Sequence, residues 1–512
     1  MMVAFRGLAC AWGNAWMELK PATKKLVMVF CFLIAFILSA ILFYRFAVGS
    51  GPKQDVSLDS PAPASQPLSA GGENGEEEPS QTEEVQYSPV KTTRFYVYTT
   101  DRLLDRLVER YAEENWDFDH RVLATTDELI YSAADVFRLV RDNLKNNTAP
   151  MDLFCVPARY LPLFTQGELS QYVCTYEELG IDVDAILEKA DIPRHIIDAG
   201  TNRDGKLVAL PVEVDVAVFM YRRSVAREVF GTDDPEKISE IIGRNTESWD
   251  KFMEAARVLK EHGYYIVPGC DDLSLLVEWY YPVSELLDVT PRIKPEWETF
   301  MDAAKLLYDD GCIKDTRGWS EAWYQDMEGE GDKFFGIVTT ASMSESLAMM
   351  LEDSKTYGDW AICLPPFQKK VSFSTGIMVS KHAPNKDLIK PLIEWFTLDV
   401  SPNGLQYQLA NGTFFEGKYS KSSVISKAIL KATENRCDFL GGQDINPVIC
   451  EALDRLDVLH DLSESRQYVN DVDISGLFMD ETRAYVTGKK DKETAIADFL
   501  RGVREELVAG YR

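Results

Sequence analysis

The sequence lacks the short motifs that mark many catalytic and nucleotide-binding chains. It contains no Cys-x-x-Cys, His-Glu-x-x-His or Gly-x-Ser-x-Gly, and no Gly-x-x-x-x-Gly-Lys-[Ser/Thr] phosphate loop. These absences exclude redox dithiol, zincin, nucleophile-elbow and P-loop chemistry. Histidine is scarce: His120, His195, His262, His382 and His460 are the only five, and no two stand at metal-ligand spacing. Asp471-Val472-Asp473-Ile474-Ser475-Gly476 opens like a calcium loop, but Thr482 stands at the twelfth position, where a bidentate Glu is needed. A polar turn is the expectation there. The chain is read as a non-enzyme without metal or cofactor.

Basic charge is also in short supply, with 54 Lys plus Arg against 82 Asp plus Glu and a formal charge of −28. Nucleic-acid affinity comes from neutralising phosphates, so nucleic acid is excluded as a partner. Cysteine gives no disulfide framework. Of nine cysteines, the seven beyond the amino-terminal region, Cys155, Cys174, Cys270, Cys312, Cys363, Cys437 and Cys450, are an odd set without regular spacing, and several sit in apolar runs as small hydrophobes would.

Long apolar runs are confined to one place. Leu26 to Tyr44 is uncharged throughout, and as a helix its 19 residues span roughly 28 Å, close to the hydrocarbon thickness of a bilayer. Lys20, Lys24 and Lys25 precede it, so the positive-inside rule places residues 1–25 in the cytoplasm and the body outside. The competing reading is a cleaved signal peptide with Ala47-Val48-Gly49 at the cut. Against it, the run exceeds an h-region and Arg45 lies just before the site. Met17 is an alternative start. Residues 50–92 follow with six prolines, seven serines and a net charge of −6. Such a segment cannot bury enough apolar surface to fold and reads as a disordered tether.

From residue 93 onward the pattern alternates strands and helices. Arg94 to Thr100 reads as a strand, followed by a helix with Leu103, Leu104, Leu107, Val108 and Tyr111 on one face. Met151 to Val156 is a short apolar run of buried parallel-strand type. Asp204-Gly205 marks a turn before strand-like Leu207 to Leu210. Trp249, Phe252, Met253, Ala256 and Leu259 form a helical stripe with Ser248 as N-cap and Gly263 as stop. Alternation of this kind indicates α/β layers.

The order of several stretches adds a resemblance. Asp204-Gly205-Lys206-Leu207-Val208-Ala209-Leu210-Pro211, then Phe219-Met220-Tyr221-Arg222, then Ser248-Trp249-Asp250-Lys251-Phe252 resemble extracellular solute-binding proteins of carbohydrate ABC transporters, of the maltose-binding-protein type. Gly358-Asp359-Trp360-Ala361, Thr375-Gly376-Ile377 with Ala383-Pro384-Asn385-Lys386, and Gly488-Lys489-Lys490-Asp491 with Glu493-Thr494-Ala495-Ile496 resemble that family's later elements, so the resemblance spans 93–512. The chain departs from the pattern at Gly331 to Gly336 and at Pro391, which should kink or delay a helix.

The resemblance implies a two-lobed α/β clamp of the type II periplasmic-binding-protein kind, closing on ligand. The first lobe would be about 93–212 and 376–415, the second about 216–372 and 418–512. It implies a carbohydrate ligand, ABC permease subunits as partners, and the lipid bilayer as a partner of the anchor. Cleft candidates in the first lobe are Thr99, Thr100 and Asp101 after the first strand, and Arg159 and Tyr160 after the apolar run at Met151 to Val156. Asp215 stands in the first crossing, where its carboxylate would accept two sugar hydroxyls. Asp271, Asp272, Thr340, Ser342, Gln443 and Asp444 fall on loops of the second lobe; among the aromatics, Trp279 and Trp323 are preferred for packing on a sugar face. The alternative for each is a solvated loop or core position. A sensing ectodomain of the same fold is the rival function, and a polysaccharide-acting enzyme with Asp271 and Asp272 as acid and base is a further one.

Overall fold

The computed structural model describes residues 92–99, 102–125, 133–157, 160–244, 246, 248–276, 293, 295–366, 371–373, 375–415, 423–454 and 474–509. The expected membrane helix 26–44, the tether 50–92 apart from its last residue, Thr100, Asp101, Arg159, Trp279 and residues 471–473 of the calcium-like loop lie outside them. The described residues fall within one unit, Ser88–Arg512.

The first sheet begins with β1 (Thr93–Tyr98), in which Phe95 and Val97 are fully buried while the residues between them are partly exposed. That period of two follows from the pleat. β2 (His120–Ala124) and β3 (Leu153–Pro157) pair parallel on either side of β1, each reached through a crossover helix, Arg102–Asn115 and Ala133–Asn146. β4 (Leu210–Pro211) belongs to the same sheet, β5 (Val214–Arg222) to the next. The second sheet adds β6 (Gly336–Thr340) and β7 (Trp360–Cys363) antiparallel on the two sides of β5. The chain then returns through β8 (Val371–Phe373) into β9 (Thr375–Val379) of the first sheet, which pairs with both β3 and β4. The fold is two-lobed, with one of these two sheets in each lobe.

Two antiparallel crossings join the sheets. Leu210 and Pro211 face Ile377 and Gly376 in the first sheet, and Val214, Asp215 and Val216 face Phe373, Ser372 and Val371 in the second. Even-numbered residues from Leu210 to Met220 all enter one apolar cluster, so a single buried face runs through the hinge. Glu213 and Asp215, on the opposite face, are only half-buried. Glu213 also forms an isolated antiparallel bridge with Val424. Buried Gln406 binds these strands together: its amide donates to the Val212 and Phe396 carbonyls at 2.7 and 2.9 Å and accepts from the Ile425 N–H at 2.8 Å.

Several sequence signals are met with small shifts. Gly205 has φ +72°, and the Asn202 side chain accepts from the Asp204 and Lys206 N–H groups, closing the turn before β4. The Trp249 stripe forms helix Asp250–Glu261, one residue later than Ser248 as N-cap predicts, although the Ser248 hydroxyl still accepts from Asp250 N–H. Pro391 does not delay its helix. Lys386–Ile393 contains it, and a wider π-type turn, Glu394–Leu398, follows. The start of the stretch expected in the second lobe from about 418 packs on the first lobe instead: Ser426 Oγ donates to the Ala190 carbonyl and Lys427 pairs with Asp191.

Candidate functional site

The strand directions determine which edges face each other across the hinge. β3 is antiparallel to β9 with Pro157 opposite Thr375, so the carboxyl end of β3 lies at the hinge, as does the neighbouring end of β1. In the second lobe Ala217, near the start of β5, faces Thr340, so β6 also ends at the hinge. The helix Ala341–Met350 starts there. Ligands of open α/β sheets bind outside such carboxyl ends.

Next to the end of β6 lies a cavity of about 460 Å³ in the second lobe, within the range of small-molecule sites. It brings together four of the sequence candidates, Asp271, Asp272, Trp323 and Thr340. Asp271 and Asp272 open a short 3₁₀ segment, Cys270–Leu276. Asp271 accepts from Gly318 N–H at 2.9 Å and pairs with Arg483, whose other arm reaches Asp315 at 3.2 Å. Asp272 is buried; it accepts from the Trp323 indole N–H at 2.7 Å and from Gly269 N–H at 3.1 Å. Burial pushes its carboxyl up to about 7, with the Trp323 hydrogen bond opposing and the Asp271 charge adding to the rise.

Trp323 corrects an expectation. It is 2% exposed and hydrogen-bonded, so its ring is a wall beneath the cavity rather than a surface for ligand. The accessible ring is Trp319, 51% exposed, with its centroid 4.9 Å from that of Trp323. Trp319 has φ +63°, a conformation that costs a bulky residue about 1–3 kcal/mol. The available signal was Ser320: its side chain accepts from Trp323 N–H and caps the helix Glu321–Glu328, which leaves Trp319 outside the helix.

Asp215, Thr340 and Ser342 are brought together at the hinge, but they satisfy one another. Asp215 accepts from the N–H groups of Val216 and Ser342 at 3.0 and 3.1 Å and from the Ser342 hydroxyl, while Thr340 caps the helix through Met343 N–H. Burial raises the Asp215 carboxyl against these bonds. This is a strand carboxylate serving the terminus of the neighbouring helix Ala341–Met350, not one with two open acceptor sites for sugar hydroxyls.

The other candidates are elsewhere. Tyr160 is 2% exposed and stacked on Phe137 at 4.3 Å, in the first lobe's core rather than the cleft. Gln443 imitates a strand neighbour, accepting from Ile362 N–H and donating to its carbonyl, and so extends β7. Asp444 accepts from Asn435 and Asn446 N–H groups at the start of helix Asn446–Asp454. Neither lines the cavity. Thr99 is buried and its N–H donates to the Thr125 hydroxyl at 2.9 Å. Among the described residues, no group of three or more His, Cys, Asp and Glu side chains could hold a metal ion.

Two lobes on separate sheets, joined by antiparallel hinge strands, make up the fold of the extracellular solute-binding proteins. An extracellular solute-binding protein of family 1 aligns with TM-score 0.58 at 12% identity, over 81% of this chain and 99% of its own. Another, from Alicyclobacillus acidocaldarius, aligns at 0.57 and 12%, over 82% and 99%. The sugar-binding protein MalE of the phytopathogen Xanthomonas citri aligns at 0.53 and 15%, over 82% and 98%. No family model matches the sequence, and no curated protein matches it. The likeness is one of fold.

Proposed function

We propose that this chain is an extracellular solute-binding protein that captures a carbohydrate and delivers it to ABC permease subunits, held at the cell membrane by residues 26–44. The observation that carries the proposal is the hinge: two sheets whose carboxyl-end edges meet at antiparallel crossings, beside a cavity edged by carboxylates and an exposed indole. Carboxylates and ring faces are the chemistry that hydroxyls and C–H surfaces of sugars recognise. The fold shared with a sugar-binding protein supports the same reading. Binding would close the lobes, drawing its free energy from contacts that both lobes make with one ligand.

The test is calorimetry on the full chain, in a detergent without a sugar head group, against mono- and oligosaccharides, amino acids and short peptides. At least one saccharide is expected to bind. Binding of amino acids or peptides with no saccharide bound would overturn the assignment. Fractionation of the producing cells is expected to leave the chain with the membrane, and a mature terminus near Ser50 would overturn the anchor.

A further inference from the structure

Trp319 is held against two physical preferences at once. A large apolar ring favours burial, yet it is half exposed, and a bulky residue disfavours the left-handed backbone it adopts. The loop that carries it is pinned on several sides. Lys314 N–H donates to the Pro268 carbonyl at 3.2 Å, and Gly318 N–H donates to Asp271 at 2.9 Å. At Gly269 a Cβ would lie 2.1 Å from the Thr316 carbonyl oxygen, so only glycine lets the two segments approach. Below the ring, Trp323 is fixed by its bond to Asp272. Strain that the surroundings maintain, ending in a ring presented to a cavity, points to ligand rather than to folding.

The charges around the ring narrow the ligand. Arg317 pairs with Asp480 at 3.1 Å, and Arg483 with Asp271 and Asp315. Both arginines of the lining are thus committed to carboxylates, and Asp271, Asp315 and Asp480 outnumber them. An acidic sugar would meet a surplus of like charge, whereas neutral hydroxyls meet acceptors. We propose that Trp319 is the platform on which an uncharged sugar ring seats by its C–H face, a role that rests on the carbohydrate reading above.

The experiment compares wild type, Trp319→Phe and Trp319→Gly as full chains, titrated with whichever neutral saccharide wild type binds and with the corresponding uronate. Trp319→Gly is expected to bind at least about tenfold more weakly, and Trp319→Phe to recover part of the loss. Because glycine adopts positive φ without strain, Trp319→Gly is also expected to melt no lower than wild type. The uronate should bind at least about tenfold more weakly than the neutral sugar. Unchanged affinity in Trp319→Gly would overturn the platform while leaving the carbohydrate reading intact. A uronate that binds more tightly than its neutral counterpart would overturn the assignment of charge. A wild type that binds another solute and no saccharide would remove the carbohydrate reading itself, and the platform with it.

Discussion

The hinge and the second-lobe cavity lie side by side at the end of β6, and both contain carboxylates at least half-buried, but they treat their polar groups differently. At the hinge, Asp215, Thr340 and Ser342 bond one another, and Gln406 fills the remaining backbone positions. In the cavity, the carboxylates of Asp271 and Asp272 are held by fixed donors while an indole is left facing solvent under backbone strain. Polar groups that close on themselves specify structure. A surface kept open at a cost is where binding is to be sought.

Substitutions at the hinge should therefore act on stability first. Gln406→Leu would leave two buried carbonyls and one N–H without partners, at about 1–3 kcal/mol each. We expect a loss of roughly 3–5 kcal/mol in chemical denaturation. A loss below about 1 kcal/mol would mean that the hinge does not depend on this amide.

Asp272 sharpens the comparison through pH. Its folded value of about 7 lies above the unfolded value of about 3.9, so the folded state holds the extra proton between them. The stability this group supplies is full below about pH 4 and is lost as pH rises to about 7, on the order of 4 kcal/mol over the window. Relative to wild type, Asp272→Asn should thus show a flatter melting temperature from pH 4 to 7. Parallel curves for the two proteins would contradict the burial of an unpaired acid there.

The smallest effect is expected at Asp215. Asp215→Ala removes acceptors from Val216 and Ser342 N–H groups and should cost about 1–3 kcal/mol of stability. Saccharide affinity should change by less than about threefold, because the carboxylate is already occupied. A tenfold loss of affinity at unchanged melting temperature would instead place Asp215 in the site.

The sequence made the scaffold more legible than the site. β1 and the first crossover helix follow from alternation and a helical stripe, and the hinge strand's even-numbered apolar face was readable from Val212 to Met220. Local patterns report local structure. Gln443, by contrast, is bonded to Ile362, 81 positions away, and nothing near it in the chain reveals that it is a strand mimic. The two tryptophans four residues apart were ambiguous for a related reason. Either could face outward until the cap at Ser320 is recognised, and only the capped helix puts Trp323 inside and Trp319 out.

If the two lobes form a clamp that closes on a sugar, small-angle scattering of the Ser88–Arg512 unit will register the closure. With a saccharide at saturation, the radius of gyration should fall relative to the empty protein, because closure brings the two lobes together. An unchanged radius at a concentration where calorimetry shows the site filled would mean that the lobes do not close on ligand.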